Sequence, residues 1–169
     1  MPTHFSGSAA DVRALNLLIK LMRASMTVKT QLSRAVTGHG LTEPQFGVLE
    51  TLYFLGPLSP SALSHKRLSS GANITTVLDN LEKRELVRRE QSEEDRRCSR
   101  VQLTPEGRRL IARIFPGHVA AARELFSVLT AAEQETLAEL SRKLGVGIVE
   151  RASRAPKAPR RAAQSAGRK

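Results

Sequence analysis

Cysteine is almost missing from this chain. The single Cys98 among 169 residues builds no intramolecular disulfide framework and no multi-cysteine metal site, and it fits a reducing compartment. Histidine is sparse too: His4, His39, His65 and His118 are scattered without metal-ligand spacing. No Gly-rich phosphate loop or nucleophile elbow accompanies them, so the sequence offers neither an enzyme's machinery nor a cofactor site. Long apolar runs are also lacking. None approaches the roughly 18 residues of a membrane span, and the opening MPTHFSGSAAD has neither the charged nor the apolar region of a signal peptide. A cytoplasmic protein without membrane contact is expected. There is no internal repeat.

Acidic residues are the last shortage. Asp and Glu number 16 against 27 Lys and Arg, a formal net charge of +11, which suits a polyanionic partner without choosing among DNA, RNA and an anionic membrane. The excess is uneven. Arg151, Arg154, Lys157, Arg160, Arg161, Arg168 and Lys169 put seven of those charges in residues 151–169 with no acid among them, leaving +4 for residues 1–150. That stretch has two prolines and almost no bulky apolar side chain, so it cannot offset its own ordering entropy and is expected to be disordered. It serves either as a solvated solubility tail or as a sequence-independent phosphate contact. The remaining length supports one core of ordinary size.

What is present is helical periodicity. Over residues 9–36, Val12, Leu15, Leu18, Ile19, Met22, Met26 and Leu32 recur at spacings of three and four, an amphipathic stripe opened by Ser8 as N-cap and stopped by Gly38 and Gly40. A helix this long exceeds what its own core needs to cover, so part of the stripe is expected to meet a second subunit. Thr42-Glu-Pro-Gln45 is a capping box for a second helix with Phe46, Leu49, Leu52 and Tyr53 on its inner face, ended by Gly56-Pro57. Ser59-Pro60 opens a short helix through Leu68. A tight turn follows, and another helix runs over about residues 71–84. Two short helices joined in this way make a helix-turn-helix.

The segments after it complete the unit. Residues 86–90 and 100–103 each have the pattern of a short strand, with the turn-forming stretch 91–99 between them. Thr104-Pro105-Glu106 then starts a helix carrying Leu110, Ile111, Ile114 and Phe115, which Pro116-Gly117 is expected to bend or break, leaving His118 near a helix start. Thr130 and Glu133 cap a last helix lined by Leu137, Leu140, Leu144 and Ile148. The fold class is mostly α with a small β-hairpin wing, a winged helix-turn-helix with further helices on both sides.

In the helix after the tight turn, Ile74, Val77, Leu78 and Leu81 fall at i, i+3, i+4 and i+7 and mark the buried face. The opposite face carries Ala72, Thr76, Asp79, Asn80 and Lys83, flanked by Asn73 and Thr75. Small and polar residues there let the backbone enter a major groove about 12 Å wide while Asn and Thr read base edges. Ser69 and Ser70 lie at the helix start, where backbone N–H groups and the dipole favour a phosphate. In the loop between the strands, Arg96, Arg97 and Arg100 stand at or near a tip. An arginine so placed enters a narrow minor groove of enhanced negative potential, and Asp95 can hold its guanidinium. Arg88 and Arg89 occupy adjacent strand positions and point to opposite faces, so at most one follows the same phosphate track.

The stretch from LTEPQFGVLETL through the wing, with Asp95-Arg96-Arg97 followed by Val101-Gln102-Leu103-Thr104-Pro105-Glu106-Gly107, resembles the MarR family. The likeness runs over roughly residues 10–148 and includes the flanking IFPGH element. It implies a homodimer on a pseudo-palindromic double-stranded DNA operator. Each recognition helix would lie in the major groove, with Arg97 as the minor-groove arginine and Asp95 orienting it. It divides the chain into an N-terminal dimerisation helix (1–40), the winged helix-turn-helix (41–104), C-terminal dimerisation helices (105–150) and the basic tail (151–169). It also implies a repressor released by a small phenolic or anionic effector. The family's pockets lie between the first, second and dimer helices, where Met22, Met26 and Phe46 are candidates for lining or for core. One departure is Glu85, where the family usually has Gly just after the recognition helix. If that residue is left-handed the cost is roughly 1 kcal/mol. The competing reading is a winged helix used for protein assembly, with the tail as a nonspecific nucleic-acid anchor.

Overall fold

The computed structural model describes residues 3–66, 71–91 and 99–154, and the chain divides into two units, 1–125 and 126–169. In the first unit, α1 (Ala9–Thr37) is capped by Ser8, whose Oγ accepts from the Asp11 N–H at 3.2 Å. Next comes α2 (Glu43–Leu55), opened by the expected box: Gln45 N–H donates to Thr42 Oγ1 at 3.4 Å, and the Gln45 side chain accepts from Thr42 N–H at 2.9 Å. Its last turn closes on Gly56, at a φ of 75° that favours glycine. The short α3 (Pro60–Lys66) starts on Ser59, whose Oγ accepts from Ala62 N–H at 3.2 Å. The second helix of the pair is α4 (Gly71–Lys83).

The hairpin consists of β1 (Val87–Gln91) and β2 (Ser99–Leu103), antiparallel from Val87 opposite Leu103 to Gln91 opposite Ser99. Leu58 adds a one-residue rung on the other side of β2, exchanging two backbone bonds with Val101 at 3.1 and 2.8 Å. The first strand begins one residue later than the sequence suggests, because Leu86 is used to close α4.

One core joins these elements. Leu49, Leu52 and Phe46 of α2, Leu63 of α3, and Val87 and Val101 of the hairpin are buried together with Ile74, Val77, Leu78 and Leu81 of α4. The four-residue pattern read in α4 is therefore its packed face. Val36 of α1 joins the same cluster, as do Leu110, Ile111 and Ile114 of α5 (Pro105–Phe126), so the core reaches beyond residues 41–104 on both sides.

The expected interruption at Pro116-Gly117 does not occur. The helix α5 runs unbroken past it, since a proline removes only one N–H bond and crowds one carbonyl. Burial of Leu110, Ile111 and Ile114 holds the turns before it, and His118 packs on the Phe46 ring at 4.5 Å just after it. His118 is accordingly a mid-helix residue on the packed side, not one near a helix start.

The second unit holds α6 (Ala131–Arg154). Thr130 N–H donates to Glu133 Oε2 at 2.8 Å and Glu133 N–H to Thr130 Oγ1 at 3.4 Å, the box expected there. The Thr130 N–H foremost, and then the Thr130 hydroxyl, which donates to the same Oε2 at 2.8 Å, hold the Glu133 carboxyl below its usual range. The helix continues through Arg151 to Arg154, into the stretch assigned to the tail. Residues 155–169 lie outside the described residues. No described helix is long and apolar enough to cross a membrane.

Candidate nucleic-acid interface

The exposed side of α4 is fixed by what its other side buries. With Ile74, Val77, Leu78 and Leu81 in the core, Thr75, Thr76 and Asn80 are exposed together on the opposite side, and Ala72 and Asn73 belong to the first turns of the same helix. Arg100, also exposed, stands on β2 opposite Glu90. The structure thus brings Thr75, Thr76 and Asn80 together and gives Arg100 a place on the hairpin. Ser69, Ser70, Arg96 and Arg97, with Asp95 and Cys98, lie outside the described residues.

The direction in which the hairpin leaves α4 is set by Glu85, whose φ is 57°. The left-handed turn seen in a glycine is thus kept with a side chain in place. Leu86 N–H donates to Leu81 C=O at 3.0 Å and Glu85 N–H to Glu82 C=O at 2.8 Å, the paired bonds of a Schellman closure, and the accompanying apolar contact comes from buried Leu86 and Leu81. A third bond fixes the turn from outside: Thr104 Oγ1 donates to Glu85 C=O at 2.6 Å. These contacts absorb the cost of the left-handed residue.

Arg89 turns back onto α4, where its guanidinium pairs with Asp79 and, at 3.0 Å, with Glu82. Arg88 pairs with Glu90 on its own strand at 2.9 Å. The two arginines do point apart. The Asp79–Glu82 spacing on the helix proposed to meet DNA was the signal for this pairing that the sequence reading passed over. At the far end of α4, Arg84 donates to Gly40 C=O in the α1–α2 linker at 2.8 Å.

A cleft of about 380 Å³ opens between α1, α2 and α5. Val28 and Leu32 of α1 and Phe46 of α2 give it apolar walls, and Lys29 and Glu43 form an ion pair at 3.3 Å at its edge. His118 also lines it, and its Nδ1 is buried without a hydrogen-bond partner. Of the three residues suggested for a pocket, Phe46 lines this one, whereas Met22 and Met26 do not and are exposed. Nothing in the sequence pointed to His118, because its position depends on α5 continuing past Pro116.

Comparison with known proteins bears on both features. A model described as the MarR family matches residues 41–99, the stretch from α2 into β2. The HTH-type transcriptional regulator MhqR of Bacillus subtilis (strain 168) is 36% identical over 134 residues, covering 79% of this chain and 92% of that protein. The crystal structure of Sco3205, a MarR family transcriptional regulator from Streptomyces coelicolor in complex with DNA, aligns with a TM-score of 0.75 and 26% identity over 85% of this chain and 91% of that one. A structure concerned with regulation of DNA binding of Bordetella bronchiseptica BpsR by 6-hydroxynicotinic acid aligns with a TM-score of 0.70 and 27% identity, over 76% and 98%.

Proposed function

This chain belongs to the MarR family of transcriptional regulators, and from that premise we propose that it represses transcription by binding a double-stranded operator as a homodimer and lets go when a small phenolic or anionic effector fills the cleft. The observation that carries the proposal is the face of α4. Thr75, Thr76 and Asn80 stand exposed opposite a fully apolar buried side, in a fold shared with a regulator solved on DNA. On this reading Ala72 and Asn73, in the first turns of the helix, are further groove contacts, and Ser69 and Ser70 are phosphate contacts. Arg96, Arg97 and Arg100 serve the minor groove, Arg97 foremost.

Dimerisation is supported by apolar side chains that this chain alone leaves open. Leu18, Met22 and Met26 of α1 and Leu140 and Ile148 of α6 are all exposed, and a second copy gives them a partner. A two-fold dimer requires two half-sites about 10 to 10.5 bp apart, centre to centre. The effector is supported by the make-up of the cleft. Its apolar walls accept an aromatic ring, Lys29 offers a cation, and the bare Nδ1 of His118 offers a hydrogen-bonding atom. The ion pair of Lys29 with Glu43 joins α1 to the first turn of α2, a few residues from the Gly40 carbonyl that holds Arg84, so a ligand acting on that pair acts near the end of α4. The work is binding and release in the cytoplasm, with no chemical step.

The test is binding to a duplex from the protein's own promoter against random duplex at about 150 mM salt. Preference of about a thousandfold, reduced by about 1–3 kcal/mol in Arg97→Ala and kept after truncation at Arg154, is the expected result. No preference, with binding abolished by the truncation, leaves the basic tail as the nucleic-acid element and the winged helix as an assembly module.

A further inference from the structure

Two acidic side chains stand on the helix proposed to meet a polyanion. Asp79 and Glu82 are three residues apart on α4, their side chains 45% and 39% exposed, beside Asn80 and Lys83. Like charges at that spacing oppose each other along a helix. As free carboxylates they would also oppose a duplex that carries about one negative charge per 1.7 Å of its axis.

They are not free. Arg89 reaches across from β1 and gives one guanidinium nitrogen to Asp79 Oδ1 and another to Glu82 Oε2, the second at 3.0 Å. Its backbone N–H donates to the other oxygen of Glu82 at 3.2 Å. The neighbouring Arg88 is engaged with Glu90 and takes no part. The Arg89 side chain is about a third exposed, and its guanidinium is directed to the two acids.

We propose that Arg89 is a masking residue: its single positive charge, shared between Asp79 and Glu82, cuts the net charge of the pair from two negatives to one so that α4 can approach phosphate, and DNA binding depends on that charge without its touching DNA. The inference rests on the operator-binding reading above. It assigns Arg89, a basic residue on the wing strand, to the protein's own carboxylates and not to the phosphate track. What masking requires is the positive charge, whereas a purely structural weld between β1 and α4 requires the fork of the guanidinium.

That difference sets the experiment. Full-length variants are measured against a labelled random-sequence duplex of 30 bp or so at about 50 mM and about 300 mM salt, with denaturant melts run alongside to establish that each is folded. Arg89→Gln unmasks two carboxylates and should weaken binding about tenfold at the lower salt, the deficit shrinking at the higher as screening sets in. Arg89→Lys keeps the charge and should bind within about threefold of wild type. The triple variant Asp79→Asn, Glu82→Gln, Arg89→Gln removes what needed masking and should recover most of the loss. The inference is overturned if the triple variant stays as weak as Arg89→Gln, if Arg89→Lys is equally weak, or if the deficit is the same at both salt concentrations. Failure of the wild type to bind any duplex has a different signature and removes the operator reading, and masking with it.

Discussion

Gly107 occupies the point where the first turn of α5 crosses the end of α4, and replacing it with alanine tests whether these two ends are in the contact described here. A Cβ at that position would fall well inside van der Waals contact of the Leu86 carbonyl oxygen and 2.9 Å from its carbon. Both are backbone atoms and cannot rotate away. To admit the methyl group, α5 must back off the hairpin by about 1 Å, since closely packed interiors hold no spare room. The move pulls on three bonds: Thr104 N–H to Leu86 C=O at 3.2 Å, Thr104 Oγ1 to Glu85 C=O at 2.6 Å and Gly107 N–H to Thr104 Oγ1 at 3.0 Å. Overpacking costs about 1–3 kcal/mol and each weakened bond up to about 1 kcal/mol, while alanine's better helix propensity returns at most about 1 kcal/mol. The expected net destabilisation is about 3 kcal/mol. With a urea m-value of about 2 kcal/mol/M the midpoint drops by about 1.5 M, measured at fixed protein concentration because dimerisation shifts it. An unchanged or higher midpoint would mean that helix propensity alone governs the site, and would refute the close approach.

Two further substitutions have predictable signs. Glu85→Gly relieves a left-handed residue while leaving its carbonyl and N–H bonds in place, so it should stabilise by about 0.5–1 kcal/mol and raise Tm by about 1–4 °C, read by thermal melting; a fall in Tm would count against the strain. Glu133 has its folded-state pKa lowered by the bonds from Thr130, so its contribution is present above the ordinary carboxylate pKa and fades as pH falls through the lowered folded value. The difference in Tm between wild type and Glu133→Gln should therefore be larger at pH 7 than at about pH 3, and a difference that is the same at both would rule out the carboxylate as its source.

Much of the fold was legible because it rests on local rules. Thr42 with Gln45, and Thr130 with Glu133, formed the boxes that their spacing implies. The i, i+3, i+4, i+7 set in α4 went into the core as one face. What could not be read is what depends on contacts distant in sequence. Pro116 looks like a break until Leu110, Ile111 and Ile114 are known to be anchored in the core on one side and His118 stacked on Phe46 on the other. The polar lining of the cleft was hidden for the same reason, since Lys29, Glu43 and His118 meet only after three helices have packed. In the interface, periodicity could say that Asp79 faces outward but not that Arg89 covers it.

The strained residue and the missing side chain are two halves of one requirement. Arg89 reaches Asp79 and Glu82 only if β1 doubles back along α4, and that direction is set within residues 84–87 by the left-handed Glu85. A left-handed turn swings Leu86 into the core and its carbonyl toward α5, which is why the helix arriving there has no side chain at Gly107 and has a threonine hydroxyl at Thr104 free to brace the Glu85 carbonyl. The Thr-Pro-Glu-Gly sequence that follows the wing is therefore more than a helix start. Its threonine caps α5 and braces the turn, its proline opens the first turn without a wasted donor, and its glycine lets the two backbones meet. Since these residues hold the turn that aims Arg89, a substitution at Gly107 is expected to reach the Arg89 pairing with Asp79 and Glu82 through the Glu85 turn.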